Sequence, residues 1–108
     1  MIKVKVLKKE NMIYGFDIVG HAGFDKHGKD IVCSAVSVLM INTINSISNF
    51  TKDDIVVDEY VENDGHIKFL VNGIYSKETE ILLKSLEYGL YDINEQYGKK
   101  YIKIEEVQ

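Results

Sequence analysis

Ile2, Val4 and Val6 alternate with Lys3 and Lys5, the period-two pattern of a strand with one buried and one charged face, spanning Ile2 to Leu7. Lys8 to Asn11 form a turn, after which Met12, Tyr14, Phe16 and Ile18 fall on one face of a second strand, Met12 to Val19, with Gly15 and Asp17 on the other. The short turn predicts a hairpin. Gly20 to Lys29 follows as an irregular loop carrying three glycines and two histidines. Of all the segments it is the least constrained locally. From Ile31 to about Asn49 the period changes: Ile31, Val32, Ala35, Val36, Leu39, Met40, Ile44 and Ile47 recur at spacings of three and four, with Asp30 placed to cap the start. The pattern predicts one long helix, because its length outweighs the weak strand preference of the β-branched residues. Val38 and Ile41 extend the apolar surface beyond one stripe, so more than one face of this helix is expected to be covered.

Ile55 to Val61 and His66 to Val71 flank Glu62-Asn63-Asp64-Gly65, whose last three residues supply the positive φ that tight turns need. This is a second hairpin. Ser76 is placed to cap a second helix running to about Tyr97, with Leu82, Leu83, Leu86, Leu90, Ile93 and Tyr97 along one side and Gly98 just past its end. Tyr101 to Glu106, where Ile102 and Ile104 alternate with Lys103 and Glu105, reads as a final strand. The order ββαββαβ predicts an α+β two-layer sandwich, a largely antiparallel five-stranded sheet with two helices on one face. The two hairpin-helix halves share no residue pattern that would make a repeat.

With 108 residues, 45% of them hydrophobic and 28% charged, the chain reads as one domain, 1–108, able to bury a core. Thirteen basic against seventeen acidic residues give a net charge of −4, which argues against a nucleic-acid coat, and no direct nucleic-acid binding is expected. One cysteine cannot close an intrachain disulfide, which excludes bridge-stapled secreted domains and Cys-rich zinc sites and points to a reducing cytoplasm. The longest mostly apolar run, Ile31 to Ile41, is interrupted by Ser34 and Ser37 and is shorter than the roughly 20 residues of a membrane span. No membrane association and no signal peptide are expected.

That lone thiol carries the chemical interest. With Asp30 as cap, Cys33 occupies the third helical position, where unpaired amides and the positive end of the helix dipole favour thiolate. His21, twelve residues upstream across a glycine-containing loop, can fold back over the helix start. On residue type alone both readings stay open: a Cys33–His21 dyad, or a buried structural thiol beside a solvated histidine. His27, with His21, Cys33, Asp25 and Asp30, supplies residue types used by zinc, but the spacing matches no metal motif, so no metal or organic cofactor is expected. His66 reads as a strand-end side chain projecting into solvent. Tyr88, Tyr91 and Tyr97 on the second helix suit core or dimer packing better than base stacking.

Gly20-His21-Ala22, Gly28 and Asp30-Ile31-Val32-Cys33-Ser34-Ala35-Val36-Ser37 together resemble the signature of the ribosomal-processing cysteine protease (Prp) family. Ser34 stands where many relatives have alanine, a small-for-small change. The resemblance implies a cytoplasmic, homodimeric bacterial endopeptidase that removes the N-terminal extension of a large-subunit ribosomal protein, ribosomal protein twenty-seven, during ribosome assembly. Cys33 would be the nucleophile and His21 the general base and acid. Asp30 and Ser37 match further motif positions, the first capping the helix and steering the histidine or capping alone, the second hydrogen-bonding near the sulfur or back to its own helix. The segment holding Gly20, Gly23, Phe24 and Gly28 would admit the peptide, with Phe24 a contact for apolar substrate side chains. Two other classes compete. A non-enzymatic ribosome-assembly or RNA-associated module would act independently of Cys33, and a thiol redox role lacks a second cysteine to resolve a mixed disulfide.

Overall fold

In the computed structural model residues 1–20, 27–61, 65–97 and 100–108 are described, without the side chains of 27–30 and 59–61. β1 (Ile2–Lys9) and β2 (Met12–Val19) turn on Glu10 and Asn11, whose φ angles of 52° and 65° are the left-handed pair of a two-residue hairpin. Leu7 pairs with Gly15 but Lys8 with Ile13, so Tyr14 is the extra residue of a β-bulge. Beyond it the alternation inverts. Ile13 turns into the core, while Met12, expected beside Phe16 and Ile18, is 45% exposed.

β3 (Asp54–Val61) and β4 (His66–Asn72) form the second hairpin, α1 (His27–Phe50) and α2 (Lys77–Tyr97) are the helices, and β5 (Ile102–Val107) closes the chain. The sheet order is β3-β4-β2-β1-β5, antiparallel except where β5 runs parallel to β1. Element order, sheet and helix number follow the sequence reading. Val4, Phe16, Ile18, Ile67 and Phe69 of the sheet meet Val32, Val36 and Met40 of α1 and Leu83, Leu86 and Leu90 of α2 in one buried cluster. The opposite sheet face is charged: Asp17 stands in register between Lys5 on β1 and Lys68 on β4, and Lys68 pairs with Asp58 at 3.5 Å. On α2, Tyr97 continues the predicted stripe but is 40% exposed at the helix end.

α1 begins at His27, a turn earlier than its apolar pattern, so Asp30 lies inside the helix instead of capping it. The first four N–H groups of a helix have no intrahelical partner, so a glycine such as Gly28 is tolerated there more readily than mid-helix. Within α1 the stretch Ile31–Phe50 is long and apolar enough to cross a bilayer, at a mean hydropathy of 1.6, which revises the expectation of a run too short to span. Its buried stripe of Val32, Cys33, Val36, Met40 and Ile47 lies in the cluster beneath the sheet, the position of a core helix. α1 and α2 approach closely at Gly89, where an added Cβ would come within 2.9 Å of Leu39 Cδ1.

Ser76 caps α2 as expected, its Oγ accepting from the Thr79 N–H at 3.3 Å. It is itself held by Asp53, which accepts from the Ser76 N–H, from Ser76 Oγ at 2.6 Å and from the hydroxyl of fully buried Thr79. Thr51 Oγ1 accepts from the Asp53 N–H and donates to Ile47 O at 2.7 Å, joining the end of α1 to the start of α2. The Ser76 and Thr79 hydroxyls hold the Asp53 carboxyl below its ordinary range. A depressed folded-state value contributes stability above the unfolded value and loses it as pH falls through the folded one. The melting-temperature gap between wild type and Asp53→Asn is therefore expected to be constant above about pH 5 and to shrink progressively below about pH 4. A gap unchanged down to pH 3 in calorimetry would contradict this account.

Candidate active site

Cys33 is the seventh residue of α1 and 3% exposed, packed within the core cluster. The expectation that it lies in the first helical turn is therefore corrected. In an α-helix the seventh N–H is committed to the carbonyl four residues back, and the dipole's influence fades within the first turn. The amides open to an anion are those of residues 27–30, a turn away from the Cys33 N–H. Ser37 follows one turn later on the same helical face, half-buried.

The other half of the candidate dyad is approached through β2. Val19, the last residue of that strand, pairs with Lys3 on one side and His66 on the other. Gly20 then leaves the sheet with φ 85°, its N–H donating to Gly65 O at 2.9 Å. Only glycine fits, because the conformation is left-handed and an added Cβ would lie 2.8 Å from the Met1 carbonyl oxygen. His21 follows directly. It lies outside the described residues, as do Gly23 and Phe24, and so do the side chains of His27 and Asp30, while Gly28 is described as part of α1. The structure thus places Cys33 and Ser37 on one helix and fixes the strand end that leads into His21. The histidine, aspartate and cysteine group weighed as metal ligands also depends on residues outside the description.

His66 differs from its expected solvated role. Its Nε2 lies 2.7 Å from Asp17 Oδ1, and both side chains are largely covered, at 30% and 18% exposure. Strand alternation alone puts Asp17 on the face opposite Phe16. The β2–β4 register that brings His66 diagonally beside it is a tertiary feature with no local sequence signal.

A family model for the cysteine protease Prp matches residues 1–103. The chain belongs to the Prp family of cysteine proteases. It is similar to the ribosomal processing cysteine protease Prp of Staphylococcus aureus strain Mu50, with 28% identity over 80 residues, 74% of either chain. A shorter similarity, 37% identity over 35 residues, links it to the Prp of Bacillus subtilis, covering 32% of this chain and 31% of that one. Among solved structures, S. aureus Prp in complex with a substrate peptide superimposes with a TM-score of 0.89 at 22% identity, covering 99% of this chain and all of the other. The same protease with a covalently linked product peptide gives 0.85 at 25% identity and the same coverage. The shared ββαββαβ architecture is that of Prp structures, and the chain is a cysteine protease.

Proposed function

We propose that the chain is an endopeptidase that removes the N-terminal extension of a large-subunit ribosomal protein, ribosomal protein twenty-seven, in the cytoplasm during ribosome assembly. Cys33 is the nucleophile and His21 its general base and acid. One observation carries the assignment: a member of a cysteine protease family with a single cysteine in 108 residues offers one candidate for the attacking sulfur. The Gly-His-Ala and Asp-Ile-Val-Cys pair supports His21, and the relatives' naming as ribosomal processing proteases supports the substrate.

In this mechanism Cys33 Sγ gives up its proton to His21 and attacks the scissile carbonyl carbon. The tetrahedral intermediate collapses as His21 returns that proton to the leaving amine, which departs and leaves a thioester. Water, deprotonated by His21, then attacks the thioester. The free carboxylate leaves and the thiol is restored. A covalently linked product peptide, as held by the S. aureus relative, is the kind of species such a route contains. No step calls on a metal or an organic cofactor. Asp30 and Ser37 support the dyad from α1, and Gly20, Gly23, Phe24 and Gly28 belong to the substrate-facing segment. The enzyme works as a homodimer, supported by the apolar outer surface of the helix layer, where Val38 is 64% and Tyr88 77% exposed.

The test is incubation with the precursor ribosomal protein and mass detection of the released extension. His21→Ala is expected to lower the rate by ~10²- to 10⁴-fold. Full cleavage by that variant would overturn the dyad, and an intact precursor under conditions where another peptide is cut would overturn the substrate. Sedimentation of the same preparation is expected to show a species of twice the 12.4 kDa monomer, and monomer alone at micromolar concentration would refute the dimer.

A further inference from the structure

We propose that His66 and Asp17 form a positioning pair that fixes the exit of β2 toward His21. The proposal rests on the reading of His21 as the catalytic base. The two side chains act through the backbone of the two strands that border that exit.

The chain of contacts is short. Gly20, the residue before His21, donates its N–H to the carbonyl of Gly65 at 2.9 Å. Gly65 sits at φ 64° immediately before His66, the first residue of β4, so the direction of that carbonyl depends on where His66 is held. Strand ends fray unless something other than the ladder fastens them. Here the imidazole of His66 donates from Nε2 to Asp17 Oδ1 at 2.7 Å, and Asp17 lies on β2 two residues before Val19, the ladder partner of His66. The side-chain bond therefore crosses diagonally from the start of β4 to β2, the strand whose end leads into His21. It clamps the two strand ends whose backbones meet at Gly20 and Gly65.

The surroundings favour this pairing. Asp17 has Lys5 and Lys68 as its ladder neighbours on either side, and the Lys68 ammonium is engaged by Asp58 at 3.5 Å. His66 is thus the hydrogen-bonded partner of the Asp17 carboxylate among the described residues. Gly20 adds to the need for a clamp. Its left-handed φ of 85° and the Met1 carbonyl oxygen, 2.8 Å from where a Cβ would stand, leave the position to glycine, which does not by itself fix the direction of the chain.

A displacement of about 1 Å at a catalytic group can cost ~10²-fold in rate, whereas a surface pair with a purely structural role leaves turnover untouched. The test compares wild type with His66→Leu, which removes the donor, and His66→Gln, whose amide can still donate to Asp17. Measurements are kcat and KM on the cleaved peptide, well below the melting temperature of each variant, and the pH profile of Cys33 alkylation by iodoacetamide. His66→Leu is expected to lose ~10- to 100-fold in kcat with KM within about twofold, and to lose the low-pH limb of alkylation that a nearby histidine confers. His66→Gln is expected to restore both. Wild-type kcat in His66→Leu, or equal losses in the Leu and Gln variants, would overturn the positioning role while leaving the dyad standing. Wild-type cleavage by His21→Ala in the same assay would overturn the dyad and the pair with it.

Discussion

Cys33→Ala is expected to abolish peptide cleavage, by ~10³-fold or more, while the chain remains folded. The first half of the expectation follows from chemistry. Covalent catalysis needs a group that can form and release an acyl bond, and alanine offers none. No second cysteine exists to take over. The second half follows from packing. Cys33 is 3% exposed among Val32, Val36 and the rest of the core cluster, so the substitution leaves a cavity the size of one sulfur and costs about 1 kcal/mol by comparison with other small core truncations. A domain of this size holds roughly 5–15 kcal/mol, and it tolerates that loss. Cys33→Ser is the poorer control, because its hydroxyl leaves a nucleophile at the same position. The measurement is a progress curve on the precursor, beside a thermal melt of each protein. More than a tenth of wild-type activity in a folded Cys33→Ala chain would remove Cys33 from the reaction.

The fold was legible because its elements announce themselves by period or by the residues that bound them. Ile2, Val4 and Val6 alternate, Val32, Val36 and Met40 recur by helical turns, and Ser76 stands at a helix start with Thr79 three residues on. What escaped are places where two local readings are equally good. Met12 and Ile13 are both apolar, so the chain alone does not show which turns inward. The bulge at Tyr14 decides, and a bulge is a matter of strand pairing. Gly28 and Asp30 look like punctuation before a helix, yet the turn they occupy is helical, and a first turn tolerates such residues because its amides have no intrahelical partner to lose.

The candidate site was legible in kind and not in shape. The Gly-His-Ala and Asp-Ile-Val-Cys segments point to Cys33 and His21 through a resemblance, and the family match bears out that resemblance. Twelve residues of separation set how far the histidine can reach and nothing about where it stands. The helix-start activation inferred from Asp30 fails because α1 begins a turn earlier, which moves the open amides away from the sulfur. The Asp17–His66 pair was invisible for a different reason: its members are 49 residues apart and meet only once β2 and β4 are in register.

Phe69→Ala is expected to destabilise the protein by about 3–5 kcal/mol, a large part of the total, and to lower the melting temperature by more than ~10 °C. Phe69 on β4 is fully buried and pairs in register with Phe16 on β2 and Val57 on β3. Its ring stacks on that of Phe16 at 5.7 Å between centroids and 25° between planes, an arrangement that adds to the burial of two large side chains. Alanine removes the whole ring at the centre of the sheet, where β2 and β4 hold each other and the helices close over them. Phe69→Leu keeps most of the volume and is expected to cost less than ~1.5 kcal/mol. Comparison of the two separates stability from chemistry. At a temperature where both are folded, Phe69→Leu should retain near wild-type cleavage, because the ring contributes to holding β2 and not to the attack on the peptide. A drop in melting temperature of only a few degrees for Phe69→Ala would mean that the β2–β4 register, and with it the anchored exit at Gly20, is secured by the backbone ladder more than by the aromatic pair.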